Sequence, residues 1–275
     1  MPLYLADCTN KRNAMIENVN GTTVSYEIEG EEKSRVILLH GWGCEMNMMQ
    51  PVADALKNEH QVLLLDFPGH GKSGRPPEPW GVHEYAECLK ELLYRTEFFP
   101  CSVIAHSFGC RVATWMAAYY PELFHKMIFT GAAGIRPKTT ESAARRNAEY
   151  KKMKNYCTQI KKIPFLKSSA EHWEEKLRQK YGSRDYNALD EEMRKTFIKV
   201  INQDLSELYP KLRQSTLLIW GDADTETPLW MGREMEKLIP DAGLVIFEGG
   251  SHFAYLEQIQ RFNTVAQHFL KEETK

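Results

Sequence analysis

Three side chains far apart in the sequence, Ser107, Asp224 and His252, are of types that together could carry out acyl transfer. A serine hydroxyl is a poor nucleophile at neutral pH, so it needs a general base to take its proton. A histidine base in turn needs a carboxylate that orients its ring and stabilises its protonated form. These three residues are therefore the candidate catalytic residues.

The candidate nucleophile lies in the segment Ala105–Gly109, after the apolar run Ser102–Ala105 and before the helical pattern Cys110–Tyr120. A sharp turn from strand to helix exposes a serine hydroxyl, and small residues two positions before and after it prevent clashes. A serine flanked by small residues is, taken alone, most often an ordinary loop residue. The strand before Ser107 and the helix after it favour a nucleophile.

The candidate base, His252, follows the last predicted strand and precedes the last predicted helix, so we expect it at the sheet edge where Ser107 emerges. His106 adjoins the nucleophile, but successive residues point apart. The loop Trp220–Pro228 offers three acids, and we favour Asp224 over Asp222 and Glu226, partly for its place in Gly-x-x-Asp-x-x-x-Pro. Any of the three could instead cap the helix near Pro228, as could Thr227.

The segment His40–Gly43 follows the apolar run Arg35–Leu39. Such a loop can direct a backbone N–H at the carbonyl oxygen of a bound ester, and we assign this role to the amides of Trp42 and Phe108. A glycine-rich turn that merely ends a strand is the alternative interpretation.

Residues near these in the sequence could contact substrate. Met46 and Met49 could line an acyl pocket, although core packing explains a methionine equally well. Arg111, four residues after the nucleophile, could bind an anionic substrate.

Short apolar runs predict the strands that would position these side chains. They are 35–39, 61–65, 102–105, 126–129, 216–219 and 244–247. A tight turn at Asn20-Gly21 predicts a hairpin of two further strands, near 15–19 and 22–29. Helical patterns separate most of them, at about 47–57, 82–95, 110–120, 229–238 and 258–270, which predicts a mostly parallel sheet. Residues 134–214 show helical patterns only, including a capping box at Ser168–Glu171 and a helix over 190–201.

These motifs, with Asp66–Ser73 and the closing segment Gly249–His252, resemble the cap-bearing branch of the α/β-hydrolase superfamily. The resemblance implies an eight-stranded, mostly parallel sheet flanked by helices. It also implies a core at 1–135 and 211–275 and a helical cap at 136–210. The order serine, aspartate, histidine is the one that this fold uses. The sequence departs from the family pattern at Ala105, where glycine is usual, and at Cys110, where a second glycine is common.

Composition excludes several classes of function. The net charge of -2, from 35 basic and 37 acidic residues, gives no reason to expect nucleic acid as a partner. The six cysteines form no metal-binding cluster, and reduced thiols predict a cytoplasmic protein. Residues 1–13 lack the apolar run of a signal peptide, and no segment approaches the roughly 20 apolar residues of a membrane span. No metal or organic cofactor is implied.

One segment has a strong charge bias. Residues 136–167 contain ten basic and two acidic side chains, which favours a small anionic substrate or an acidic surface as partner. Solvated helix faces are the more common reason for such a run.

The sequence therefore predicts a serine hydrolase that cleaves a small or medium carboxylic ester through an acyl-enzyme. A carbon–carbon bond hydrolase, or a lyase, acting on an anionic dicarbonyl acid would use the same residues. A ligand receptor that retains the pocket without catalysis is a further alternative. The sequence leaves the oligomeric state open.

Overall fold

A computed structural model of the chain describes residues 14–32, 34–136 and 141–271. One sheet contains eight strands in the order β1-β2-β4-β3-β5-β6-β7-β8. The strands are β1 (Met15–Val19), β2 (Thr22–Glu29), β3 (Arg35–Leu39), β4 (Gln61–Leu65), β5 (Cys101–His106), β6 (Phe124–Thr130), β7 (Ser215–Gly221) and β8 (Ala242–Phe247). The pairs β1–β2 and β2–β4 are antiparallel and the other pairs are parallel, which confirms the predicted sheet.

Helices connect the strands. They are α1 (Gln50–Leu56), α2 (Val82–Arg95), α3 (Phe108–Tyr119), α4 (Glu141–Ile160), α5 (Lys167–Tyr181), α6 (Arg184–Ala188), α7 (Glu191–Asn202), α8 (Leu229–Leu238), α9 (Ala254–Glu257) and α10 (Ile259–Leu270). A short 3-10 helix, Met46–Met49, precedes α1.

The central strands of the sheet, β4, β3 and β5, are buried on both faces. Side chains alternate along a strand, so Val36 and Leu38 of β3 face one side while Ile37 and Leu39 face the other. The first side packs against α1, α9 and α10, and the second against α2, α3 and α8. This explains why the strands are continuously apolar in sequence instead of alternating.

Four helices, α4 to α7, lie between β6 and β7, where the sequence predicted only helices. The Asp190 side chain caps α7 by accepting a 3.0 Å bond from the Met193 N–H. The capping box predicted at Ser168–Glu171 is wrong. A 3-10 turn, Pro164–Leu166, leads directly into α5, so Ser168 already lies in the first helical turn and caps nothing.

Because β3, β5, β7 and β8 run parallel, their carboxyl ends lie at one edge of the sheet. The loops that follow these strands carry all the candidate catalytic residues. The fold therefore assembles at one edge four segments that lie between His40 and His252 in the sequence.

Candidate active site

Ser107 forms the turn between β5 and α3. Its backbone has φ 49° and ψ -106°, a conformation that side-chain-bearing residues rarely adopt. Two hydrogen bonds hold this turn in place: the Ser107 N–H donates to Thr130 O (3.1 Å), and the Ser107 carbonyl accepts from the Ala133 N–H (3.3 Å). Backbone strain of this kind is concentrated at functional sites, where surrounding bonds enforce it.

The departure from the family pattern at Cys110 is accommodated inside the protein. Its thiol is fully buried and donates to the carbonyl of Ala105 at 3.1 Å. Burial raises the pKa of the Cys110 thiol well above its usual value, so it stays protonated. Cys110 therefore packs beneath the turn and supplies no competing nucleophile.

His252 and Asp224 form a close pair at the ends of β8 and β7. The His252 Nδ1 lies 2.8 Å from the Asp224 Oδ2, and the Asp224 carboxylate is fully buried. Burial raises the pKa of Asp224, but the hydrogen bond and the charge of His252, together with bonds from Thr227, outweigh it and lower the pKa overall. Asp224 is therefore ionised and holds the imidazole by Nδ1, which leaves Nε2 facing away from the acid.

The other two acids of this loop have different positions. The Asp222 Oδ1 accepts from the Gly249 N–H at 2.7 Å, a bond that joins the loops after β7 and β8. Glu226 is exposed, and its N–H donates to the Asp224 Oδ1 at 2.9 Å. Of the three candidates, the structure pairs Asp224 with His252.

Thr227 is a functional candidate that sequence reasoning considered only as a helix cap. Its buried hydroxyl lies 2.8 Å from Asp224 Oδ2, 3.1 Å from Gly131 O and 3.2 Å from His252 Nδ1. Its N–H also donates to Asp224 Oδ1 at 2.9 Å. The only signal in the sequence is a threonine three residues after the acid and directly before a proline.

Ser107 and His252 both lie against the end of β6. Ser107 is bonded to Thr130, and the next residue, Gly131, is so close to the His252 ring that an added Cβ would lie 3.1 Å from Nδ1. The ring of His106, next to the serine, lies 4.7 Å from the His252 ring. The hydrogen bonds of the described residues include none between Ser107 Oγ and His252. Such bonds are often long in a free enzyme and shorten when substrate binds.

Two other histidines nearby are unsuited to act as bases. Burial lowers the pKa of His106 to about 3, and its Nδ1 is 3.1 Å from Thr130 O. Burial likewise lowers the pKa of His40 to about 3, and its Nε2 accepts from the Phe67 N–H at 3.0 Å. Both rings are neutral packing elements that position the loops around the site.

The loop His40–Gly43 passes directly over Ser107. An added Cβ at Gly41 would lie 2.8 Å from the His106 ring and 3.3 Å from the Ser107 Cβ, so only glycine allows this approach. The rings of Trp42 and Phe108 pack against each other at 5.2 Å. Among the hydrogen bonds of the described residues, neither the Trp42 N–H nor the Phe108 N–H has an acceptor.

The three residues that were predicted to contact substrate are all buried in the protein. Met46 and Met49 are 4% and 0% exposed and belong to the core on the α1 and α10 side of the sheet. Arg111 is also buried, and its guanidinium donates to the carbonyl of Gln203, just after α7, at 2.7 Å. These positions favour packing and structural roles for all three residues.

A cavity of about 480 Å³ lies beside the loop after β3, bounded by Gly43, Met48, His70 and Leu189. In the described ranges, no three His, Cys, Asp or Glu side chains are grouped as metal ligands. The arrangement can therefore support proton transfer between an imidazole and a hydroxyl, with two free backbone N–H groups beside the hydroxyl.

Comparison with known proteins identifies related chains. A family model described as "alpha/beta hydrolase fold" matches residues 34–258. The pimeloyl-[acyl-carrier protein] methyl ester esterase of Vibrio vulnificus is 23% identical, over 88% of this chain and 95% of that protein. A 2-hydroxy-6-oxononadienedioate/2-hydroxy-6-oxononatrienedioate hydrolase of Pseudomonas sp. is 25% identical, over 92% of this chain and 93% of that protein.

Another relative is the dihydrolipoyllysine-residue acetyltransferase component of the acetoin cleaving system of Pseudomonas putida. It is 24% identical over 90% of this chain, which spans 66% of the length of that protein. Among solved structures, a hydrolase from Pseudomonas aeruginosa PA01 has a TM-score of 0.73, with 22% identity over 96% of this chain and 100% of that chain. This likeness concerns the fold.

Proposed function

The chain belongs to the α/β-hydrolase family and is a hydrolase of that fold, and from this premise we propose that Ser107, Asp224 and His252 form its catalytic triad. The proposed reaction is cleavage of a small or medium carboxylic ester through an acyl-enzyme. The observation that carries this proposal is the 2.8 Å Asp224–His252 pair, which lies against the same strand end as the strained Ser107 turn.

The proposed first step is attack of Ser107 Oγ on the ester carbonyl carbon. The His252 Nδ1–H donates a hydrogen bond to ionised Asp224, so Nε2 carries the lone pair that takes the serine proton. The N–H groups of Trp42 and Phe108 stabilise the negative oxygen that forms, and one such donor is worth roughly 3 kcal/mol of barrier. His252 then protonates the leaving alcohol, and the acyl group stays on Ser107.

The second step repeats the first with water. His252 Nε2 takes a proton from a water molecule as the water oxygen attacks the acyl carbon. The tetrahedral intermediate collapses, Ser107 regains its proton from His252, and the carboxylic acid leaves. The three side chains end in their starting protonation states.

We also propose that residues 136–210 form a cap over the core of 1–135 and 211–275. Contacts across the site support this. The ring of Phe197 on α7 lies 5.1 Å from the ring of Trp42, and the Trp80 N–H donates to Thr196 Oγ1 at 3.2 Å. Arg75 forms a 2.7 Å ion pair with Asp190. Residues 137–140 lie outside the described ranges.

A small molecule is the proposed substrate, like the 2-hydroxy-6-oxononadienedioate in the name of one relative. We propose a cytoplasmic location, since the five cysteines of the described residues are all unpaired. No helix in the part of the chain that the structure describes is long and apolar enough to cross a membrane.

The direct test is labelling with a fluorophosphonate, which reacts with an activated serine. Wild-type protein is expected to be labelled at Ser107. Ser107→Ala is expected to lose both the label and p-nitrophenyl ester hydrolysis by at least about a thousandfold. Ser215→Ala, at the amino end of β7 and therefore at the sheet edge opposite the proposed triad, is the matched control and should retain both. Labelling that is absent in the wild type, or that persists in Ser107→Ala, would refute the assignment.

The second candidate is hydrolysis of a carbon–carbon bond in a dicarbonyl acid, because one relative is a hydrolase of 2-hydroxy-6-oxononadienedioate. A panel that contains p-nitrophenyl esters and ring-cleavage keto acids separates the two. A kcat/KM that is higher for the esters supports the first candidate. A kcat/KM that is higher for the keto acids would assign carbon–carbon bond hydrolysis to the proposed triad instead.

A further inference from the structure

The helices α4 and α5 pack against each other as a hairpin whose tip is the turn Pro164–Leu166. A groove of about 770 Å³ runs along this hairpin, with Met153 and Tyr156 of α4 on one side and Trp173 and Leu177 of α5 on the other. On each helix the two residues are three or four positions apart, so they share one face.

This face is more apolar than a solvated surface requires. Tyr156 is 65% exposed, Trp173 is 59% exposed and Phe165, at the tip, is 83% exposed. Ile163 adds a fourth exposed apolar side chain beside Phe165. Several large exposed apolar side chains on one helical hairpin favour an interaction surface, unlike single exposed residues scattered over a protein. We call the groove and the tip together the hairpin face.

Positive charge surrounds the hairpin face. Lys152, Lys176 and Lys180 line the groove together with one acid, Glu149, and Lys162 and Lys167 flank the tip, so positive charge predominates. None of the ion pairs among the described residues includes any of these five lysines.

The acidic residues of α5 are engaged elsewhere. Glu174 forms a 2.5 Å ion pair with Lys161, and Glu175 pairs with Arg178. Both acids line a separate polar cavity that also borders α7 residues such as Arg194. The α5 carboxylates therefore lie on the side opposite the groove, and the charge of the hairpin face is not neutralised by them.

We propose that the hairpin face docks on a bilayer surface that contains anionic phospholipids. The aromatic side chains of the hairpin face can occupy the interface between lipid headgroups and acyl chains, and the lysines around them can bind anionic headgroups. A second copy of this chain is a less suitable partner for the hairpin face, because symmetric pairing would place lysine against lysine. The docking is independent of the catalytic proposal and goes beyond it.

The test is co-sedimentation of the full chain with vesicles of phosphatidylcholine alone or of phosphatidylcholine mixed with phosphatidylglycerol. Wild-type protein is expected to bind the mixed vesicles, to bind the neutral ones at least about fivefold more weakly, and to be released by high salt. Lys162→Gln with Lys167→Gln is expected to weaken binding about 25-fold, from about fivefold for each lysine. Phe165→Ser with Trp173→Ser is expected to abolish it.

The matched control is Trp230→Ser with Lys237→Gln on α8, where Trp230 is 44% exposed and Lys237 is also exposed. This variant should bind like the wild type, and thermal unfolding should show that every variant is folded. Absence of binding to mixed vesicles, or equal losses in the hairpin and control variants, would overturn the proposal. A wild-type dimer that the hairpin substitutions convert to monomer, without vesicle binding, would assign the face to self-association instead.

Discussion

Thr227 shows how a single hydroxyl can couple the proposed catalytic acid and base. It lies within hydrogen-bond distance of Asp224 Oδ2, His252 Nδ1 and Gly131 O, and it is 6% exposed. A hydroxyl has one proton, so it can donate to only one of these atoms at a time. It therefore acts as a positioning residue that steadies the Asp224–His252 pair against the end of β6.

Replacing Thr227 by valine keeps the shape of the side chain and removes the hydroxyl. Because a neutral hydrogen bond is worth about 1 kcal/mol, kcat for ester hydrolysis should fall about fivefold to tenfold. KM should change little, and Thr227→Ser should restore most of the rate. Steady-state kinetics of the three proteins checks this; a rise in KM with kcat unchanged would indicate a substrate contact instead.

The pH dependence of stability provides a second prediction at Asp224. Its pKa is lowered in the folded protein, so its ionised form contributes stability above the unfolded pKa of about 4, and this contribution declines as pH falls toward the lower folded pKa. The difference in free energy of unfolding between wild type and Asp224→Asn should be constant above about pH 5 and shrink below pH 4. Urea unfolding over a pH series measures it. A difference that widens in acid would contradict the lowered pKa.

At the scale of elements, α3 joins the candidate nucleophile to the helices between β6 and β7. Its first turn begins directly after Ser107. In the same helix, the Arg111 guanidinium donates a hydrogen bond to the carbonyl of Gln203 at the end of α7. The α7 side chain Phe197 in turn packs on Trp42. Movement of α7 would therefore displace both the Ser107 turn and the loop after β3.

Truncating Arg111 should loosen this connection. Arg111→Ala removes a buried side chain and leaves the Gln203 carbonyl without its donor, at a cost of about 2 kcal/mol, which lowers Tm by about 4–8 °C. Arg136→Ala is the matched control, since exposed Arg136 donates to the neighbouring Asn202 carbonyl at 3.2 Å. Calorimetry compares the two. An unchanged Tm with a manyfold rise in KM for anionic substrates would restore Arg111 as a substrate contact.

For the whole molecule, the distribution of burial separates α4 and α5 from the rest. In α5 only Ala170 is buried, whereas α3 buries nine residues against the sheet. The two helices pack chiefly on each other, and α7 is the element that contacts the core through Phe197 and Val200. Local unfolding is expected to begin where few apolar contacts resist it.

Limited trypsin digestion should therefore cut first within 141–181, a segment rich in lysine and arginine, and leave the sheet intact. Mass spectrometry of the earliest fragments identifies the sites, because cleavage of transiently opened segments follows the free energy of opening. Initial cuts after Lys90 in α2, Arg111 in α3 or Lys126 in β6 would show that the least stable part of the molecule lies elsewhere.

The sequence by itself determined the elements and the candidate catalytic residues. Short apolar runs predict β3 to β8, a tight turn predicts the β1–β2 hairpin, and α2 and α8 have the bounds predicted from periodicity, because all these signals depend on neighbours in the sequence. Placing Ser107, Asp224 and His252 at the ends of strands needed only the rule that parallel strands end at one edge.

Tertiary structure alone decided which partner each side chain has. The sequence favoured Asp224 over Asp222 as the acid, but only the packed loops show that Asp222 binds Gly249 and Asp224 binds His252. Met46 entered the core, and Arg111 bound a backbone carbonyl ninety-two residues away. The reason is physical: these contacts join residues far apart in the chain, so they depend on how the elements pack, and local sequence patterns do not encode that packing.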